Sequence, residues 1–178
     1  MSADRYPAQD DVPGPGGLEA QGLAAQIVGL LGRRQLTVAV AESLTGGLLG
    51  AAITTVPGAS VVFRGGIIAY ATDLKAQLLG VPAALLAARG AVDPEVAGAM
   101  AEGVRDRLRA GVGVATTGVA GPDPADGKPP GTVHIAVSAA AGPVIRTLDL
   151  AGTRDEVRRD TVQQSLRLLW DVLWEESP

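Results

Sequence analysis

Apolar residues recur along the chain with two distinct periods, and the alternation between them predicts the architecture. Leu23, Ile27, Leu30 and Leu31 fall at helical spacing and predict a first helix over about 18–34. Residues 36–41 switch to strict alternation, with Val38 and Val40 on one face of a strand. Leu48, Leu49, Ala52 and Ile53 return to the helical period, and Pro57 and Gly58 stop it. A strand at 65–70 follows, then a helix carrying Leu74, Leu78 and Leu79, then a short helical piece from Pro82 to Arg89. Asp93 before Pro94 is a strong helix start, an acid able to cap free amides followed by a residue that needs none. Val96, Met100, Val104 and Leu108 supply the buried face of that helix.

The second half of the chain reads differently. Val112 to Thr117 predicts a strand, and 118–131, with its four glycines and four prolines, a loop. Thr132–Ala139 and Val144–Leu150 predict two further strands, joined by a short Ala-Gly-Pro connection that suggests a hairpin. Thr153 and Glu156 make a capping box that opens a long last helix with the stripe Val157, Val162, Leu166, Leu169 and Leu173. Strands interleaved with helices, then a hairpin, imply an α/β layered domain with a mixed sheet. Residues 1–16 are rich in Pro, Gly and Asp and lack periodicity, so they are expected to form a flexible tail before a single domain over 17–177.

Composition narrows the chemistry. The 178 residues contain no cysteine, which removes disulfides, thiolate metal sites and cysteine nucleophiles together and fits a cytoplasmic protein. No apolar run reaches the roughly 18–20 residues of a membrane span, and the N-terminus does not have the form of a secretion signal. A net charge of −4 argues against a nucleic-acid partner while leaving room for a local basic pocket. Of the basic residues only Lys75 and Lys128 are lysines, which makes their placing informative.

One stretch invites a catalytic reading. Residues 41–47, Ala-Glu-Ser-Leu-Thr-Gly-Gly, stand where the strand at 36–41 hands over to a helix. Ser43 there is a helix cap, a nucleophile or part of a phosphate cradle. The single histidine, His134, alternates with apolar neighbours in a strand, where burial or a structural hydrogen bond is the expected role, so a Ser-His-Asp triad is not expected. Spacing typical of metal ligands is missing, and no metal or cofactor is expected. A base for Ser43 must then be Lys, Tyr or a carboxylate. Tyr70 and Lys75 lie where strand 65–70 turns into a helix, and strand ends at one edge of an α/β sheet converge. They are candidates on that ground, against the alternative that Lys75 is a surface residue. To act as a base near neutrality Lys75 must lose roughly three pKa units, about 4 kcal/mol of differential interaction. Thr45, Gly46 and Gly47 at the helix start, and Gly118 and Gly121 in the loop, offer amides suited to an anion or an oxyanion. Glu42 either orients the site or favours the helix start with its charge.

Four segments taken together are more specific: AESLTGG (41–47), FRGGIIAYATDLK (63–75), GAVD (90–93) and TGVAGPD (117–123) with its downstream KPPGTV (128–133). In order and spacing they resemble the CinA C-terminal domain family, which includes stand-alone nicotinamide mononucleotide deamidases, over roughly residues 18–176. The chain departs from the common pattern at Thr72, Asp93 and Thr117, and its Asp123–Lys128 stretch is short, with Asp126 the one acid between them. The resemblance implies a three-layer α/β/α sandwich, a homodimer, and hydrolysis of a small nucleotide, nicotinamide mononucleotide, to nicotinate mononucleotide and ammonia. By the same resemblance Ser43, Tyr70 and Lys75 are the catalytic residues. Glu42, Thr45, Gly46, Gly47, Thr117, Gly118, Gly121, Arg154 and Arg158 are then candidates for substrate, phosphate or oxyanion contacts. The alternative class is a catalytically silent nucleotide-binding or protein-interaction domain linked to competence or DNA damage.

Overall fold

A computed structural model describes residues 20–175. The expected tail at 1–16 lies outside the described residues. The elements run α1 (Ala20–Arg33), β1 (Val38–Glu42), α2 (Leu48–Thr54), β2 (Phe63–Ile68), α3 (Thr72–Leu79), α4 (Ala83–Arg89), α5 (Pro94–Arg107), β3 (Val112–Gly118), β4 (Thr132–Ala139), β5 (Gly142–Asp149) and α6 (Arg154–Glu175). A single 3-10 turn at Ala59–Val61 precedes β2.

The sheet has the order β2-β1-β3-β4-β5. β1 pairs in parallel with both β2 and β3, while β4 and β5 complete the sheet as an antiparallel hairpin. The mixed sheet follows from connection length. Helical crossovers precede β2 and β3, whereas two residues suffice between β4 and β5. Helices cover both faces, and the pleat separates two cores. Val38, Val40, Val112, Val114, Val133 and Ile135 face one side, where α1, α2 and α6 pack with Leu31, Leu49 and Leu166. Ala39, Ala41, Ala115 and Ala136 face the other, where the small side chains let α5 lie close through Val96, Met100 and Val104. This is the expected three-layer α/β/α sandwich. Among the described residues no helix is long and apolar enough to cross a membrane.

Element ends differ from the sequence expectation by one or two residues. The strand expected at 65–70 runs from Phe63 to Ile68, so Tyr70 lies beyond its end. Gly65 and Gly66 are inside the strand, paired with Ala39 and Val40. Val40 packs on the bare face of Gly66, where a β-carbon would lie 2.6 Å from Val40 Cγ2. β1 extends one residue further than expected, to Glu42, and β5 takes up the Gly142 and Pro143 expected in the connection. Leu108 is a half-buried C-terminal cap of α5 rather than part of its buried stripe.

Both capping devices read from the sequence form. Asp93 accepts from the Glu95 N–H at 2.9 Å, ahead of Pro94. Glu156 accepts from the Thr153 N–H and hydroxyl, both at 2.7 Å. Those bonds favour the charged form and hold the Glu156 carboxyl below its usual range.

Candidate active site

The parallel half of the sheet brings the C-terminal ends of β1 and β3 to one edge, and the chain leaving β2 arrives at the same place. Ser43 is the first residue past β1. Its N–H donates to Thr116 O of β3 at 3.1 Å, and the residue is 8% exposed. Lys75 projects from α3 into the same space and is 1% exposed. Its Nζ lies 3.1 Å from Ser43 Oγ, 2.8 Å from Ala69 O and 3.4 Å from Tyr70 O. A neutral amine has two N–H donors and one lone pair. As the ammonium, Nζ donates to all three oxygens; once neutral, it can keep its N–H bonds to the two carbonyls and turn its lone pair to the Ser43 proton.

Electrostatics point the same way. Burial disfavours the ammonium form and lowers the Lys75 pKa from 10.5 to about 8, against a smaller opposing pull from the Asp126 carboxylate. A histidine is not part of this arrangement. His134, in β4, is buried with Nδ1 2.9 Å from Thr147 Oγ1 of β5, and burial lowers its pKa. It has the structural role expected of it.

The turn at 43–47 holds Ser43 in place. Gly46 and Gly47 have φ of 57° and 99°, a left-handed pair that bends the chain back before α2 begins. Glu42 is 1% exposed and caps α2. Its two carboxylate oxygens accept from the N–H groups of Gly47, Leu49 and Gly50 at 2.9, 3.1 and 2.8 Å. The Gly46 N–H donates to Ser43 O at 3.1 Å. The amides of Gly46 and Gly47, expected to be open to an oxyanion, are therefore already engaged. Thr45 bonds Thr116 through their hydroxyls at 2.8 Å. Arg158 reaches from the first turns of α6 to Leu44 O at 2.9 Å and Thr45 O at 3.0 Å, clamping the same turn from behind.

Beside this pair opens a cleft of about 210 Å³. The end of β3 and the loop after it build its far wall: Thr117 to Gly121, then Asp123, Ala125 and Asp126. The Gly121–Pro122 peptide is cis. Ala91 and Val92 form another side, and Thr117 Oγ1 donates to Ala91 O at 2.7 Å. Arg154 and Tyr70 stand together at the cleft. The guanidinium donates to Gly121 O at 2.8 Å and to the Tyr70 phenol oxygen at 3.1 Å.

Residues 20–173 match the model of the CinA C-terminal domain. The chain belongs to that family. A CinA-like protein of Frankia casuarinae is 52% identical over 151 residues, covering 85% of this chain and 35% of the relative. A putative competence-damage inducible protein of Desulforamulus reducens is 47% identical, again over 35% of its length. The chain thus spans about a third of the curated relatives it matches. Among solved structures, the competence/damage inducible protein CihA from Agrobacterium tumefaciens superposes with a TM-score of 0.83 at 36% identity, covering 90% of this chain and 96% of that one. The competence damage-inducible protein A from Klebsiella pneumoniae reaches 0.87 at 27% identity, with 90% and 100% covered. The sandwich is that of CinA proteins.

Measured against the family motifs, the structure gathers Ser43, Lys75, Tyr70, Thr117, Gly118, Gly121 and Arg154 around one cleft. Glu42, Thr45, Gly46, Gly47 and Arg158 instead lie behind Ser43, where their contacts are internal. Asp123, Asp126, Ala91 and Val92 also line the cleft, although none was among the candidates for substrate contact. For Asp126 a local signal existed. Asp126-Gly127 is a turn dipeptide, and the two form the tip of a tight hairpin closed by Ala125 and Lys128. Nothing in the sequence told where that tip would dock.

Proposed function

We propose that the chain is a metal-independent serine amidohydrolase that converts nicotinamide mononucleotide to nicotinate mononucleotide and ammonia. One observation carries the reading: a buried lysine amine at hydrogen-bond distance from a serine hydroxyl in an open cleft. Family membership supports it.

In the first half-reaction Lys75 takes the Ser43 proton, and Oγ attacks the carboxamide carbon. The lysine then returns the proton to the departing amine as the C–N bond breaks, releasing ammonia and leaving an ester on Ser43. In the second, Lys75 deprotonates a water that attacks the ester carbonyl, and Ser43 leaves with the proton. With Gly46 and Gly47 engaged, the oxyanion donors are sought among amides lining the cleft, beginning with Leu44 next to the nucleophile. Tyr70 contributes its main-chain carbonyl to Lys75, while its phenol pairs with Arg154. This favours direct proton transfer between Lys75 and Ser43 over a relay through the phenol.

A cleft of about 210 Å³ is below the ~300 Å³ at which pockets usually enclose a whole ligand. The pyridine ring would therefore enter and the ribose phosphate extend outward, toward Arg154. A homodimer remains part of the proposal, with exposed Ile68 near the β2 edge as apolar surface it would cover.

The test is ammonia release from nicotinamide mononucleotide by the purified chain, against a folded Ser43→Ala control. Equal release from both would refute the assignment. Saturable binding without turnover would instead make the chain a nucleotide-binding domain of the kind that the relatives' competence-damage names allow.

A further inference from the structure

Ala91 is held at both of its main-chain polar groups. Its carbonyl accepts from Thr117 Oγ1 at 2.7 Å, and its N–H donates to Asp126 Oδ2 at 2.6 Å. The two holding residues sit at opposite ends of the segment that walls the cleft, Thr117 in β3 and Asp126 at the hairpin tip. The seat is shaped for the carboxylate. A β-carbon on Gly90 would lie 3.0 Å from Asp126 Oδ2 and 3.3 Å from its Cγ. Asp126 itself has φ of 51°, a left-handed conformation that aspartate tolerates better than most residues, and it presents the side chain from the turn. The contact spans 35 residues of sequence and joins an exposed hairpin tip to a half-buried loop.

We propose that Asp126 is a positioning residue of this site, pinning the Ala91 wall of the cleft and placing a carboxylate in the lining that it shares with Lys75. The inference rests on the amidase reading only in making Lys75 the base. The charged or titratable groups that line the cleft with Lys75 are Asp123, Asp126, Arg154 and the Tyr70 phenol. Arg154 bonds Gly121 O and the Tyr70 phenol, and the Asp126 carboxylate in the same cleft lining favours the protonated form of Lys75. The residue thus holds the cleft together and at the same time restrains its base. The two effects separate by substitution. Asn keeps an oxygen for the Ala91 N–H and removes the charge, whereas Ala removes both.

The experiment uses the whole chain grown with lysine labelled with ¹³C at Cε. There are only two lysines, so a Lys128→Arg variant assigns the pair. The Lys75 resonance is titrated in wild type, Asp126→Asn and Asp126→Ala, and exchange of the Ala91 amide is followed in each. Both substitutions are expected to lower the Lys75 midpoint by roughly half a unit. Asp126→Asn keeps Ala91 protected, and Asp126→Ala speeds its exchange about tenfold or more. A midpoint unmoved in Asp126→Asn, or Ala91 exchange unchanged in Asp126→Ala, overturns the proposal. Neither readout involves a nicotinamide substrate. A chain that passes both and releases no ammonia would refute the amidase reading while leaving the role of Asp126 intact.

Discussion

Lys75 Nζ lies 3.1 Å from Ser43 Oγ across 32 residues of sequence, with both side chains buried. The pair forms because β1 and β2 run parallel, so that the chain leaving each strand emerges at one edge of the sheet. A lysine enclosed there is held between two carbonyls and a hydroxyl, without a carboxylate among its hydrogen-bond partners. Burial is therefore the dominant influence on its ionisation.

The first consequence is a pH profile. With the Lys75 pKa lowered from 10.5 to about 8, only about a tenth of the chains carry the neutral amine at pH 7. On the proposed amidase reading, kcat/KM should rise about tenfold per unit below pH 8 and level off above it. A profile flat between pH 6 and 9, with substrate ionisation and folding accounted for, would remove Lys75 as the base.

The same burial that readies Lys75 as a base lowers the stability of the fold. Below about pH 8 the lysine is protonated in both the folded and unfolded states, and the folded state carries the full desolvation penalty, on the order of 3 kcal/mol. Between pH 8 and 10.5 the unfolded lysine still binds a proton that the folded one has lost, so stability rises with pH. Lys75→Met removes the charge and orphans two carbonyls, which costs about 1 kcal/mol each. At pH 7 the variant should be at least as stable as wild type, and its advantage should shrink by about 3 kcal/mol toward pH 10.5. Urea unfolding at both ends of that range measures the difference. The variant should also lose about 10²–10⁴ in kcat. A stability difference that does not change with pH would mean that Lys75 is not buried as a base.

Glu42 bears on the fold more than on the chemistry. It joins the end of β1 to three amides at the start of α2, spanning the turn that carries Ser43. Glu42→Ala leaves those donors without the carboxylate and should cost about 2–4 kcal/mol, more than an ordinary exposed cap. Glu42→Gln, with one acceptor oxygen, should lie between the two. A loss below about 0.5 kcal/mol in chemical denaturation would show that water replaces the carboxylate.

Much of this was legible in the sequence, and the reasons are local. The stripe Val96, Met100 and Val104 specifies its helix by period alone, and Asp93-Pro94 and Thr153–Glu156 specify helix starts by hydrogen-bond chemistry. Ser43, Tyr70 and Lys75 could be grouped because a parallel sheet forces strand ends together. Boundaries failed by a residue or two where pairing with a neighbouring strand sets the end: β2 starts at Phe63, opposite Val38, and stops at Ile68, opposite Glu42. The docking of Asp126 on Ala91 was illegible for the same reason, since a main-chain N–H donor has no side-chain signature. Glu42 read as either site or cap, and only the distances to Gly47, Leu49 and Gly50 decide for the cap.

Arg154 and Arg158 were indistinguishable as candidates, yet one helical turn separates two different duties. Four residues advance about 6 Å along α6. Arg154 consequently meets the cleft, at Gly121 O and the Tyr70 phenol, while Arg158 meets the carbonyls of Leu44 and Thr45 behind Ser43. On the proposed reading, an arginine that receives the substrate phosphate would act on binding, and one that clamps the turn of Ser43 would act on the chemical step. Arg154→Ala should raise KM for nicotinamide mononucleotide roughly tenfold or more with little change in kcat, and leave nicotinamide riboside, which has no phosphate, nearly unaffected. Arg158→Ala should lower kcat roughly tenfold for both substrates, because a turn loosened by a fraction of an ångström misaligns Ser43. Steady-state kinetics on the two substrates separates the roles. Equal losses on both substrates in Arg154→Ala would move the phosphate site away from Arg154 and leave that residue as a brace between Tyr70 and the loop at Gly121.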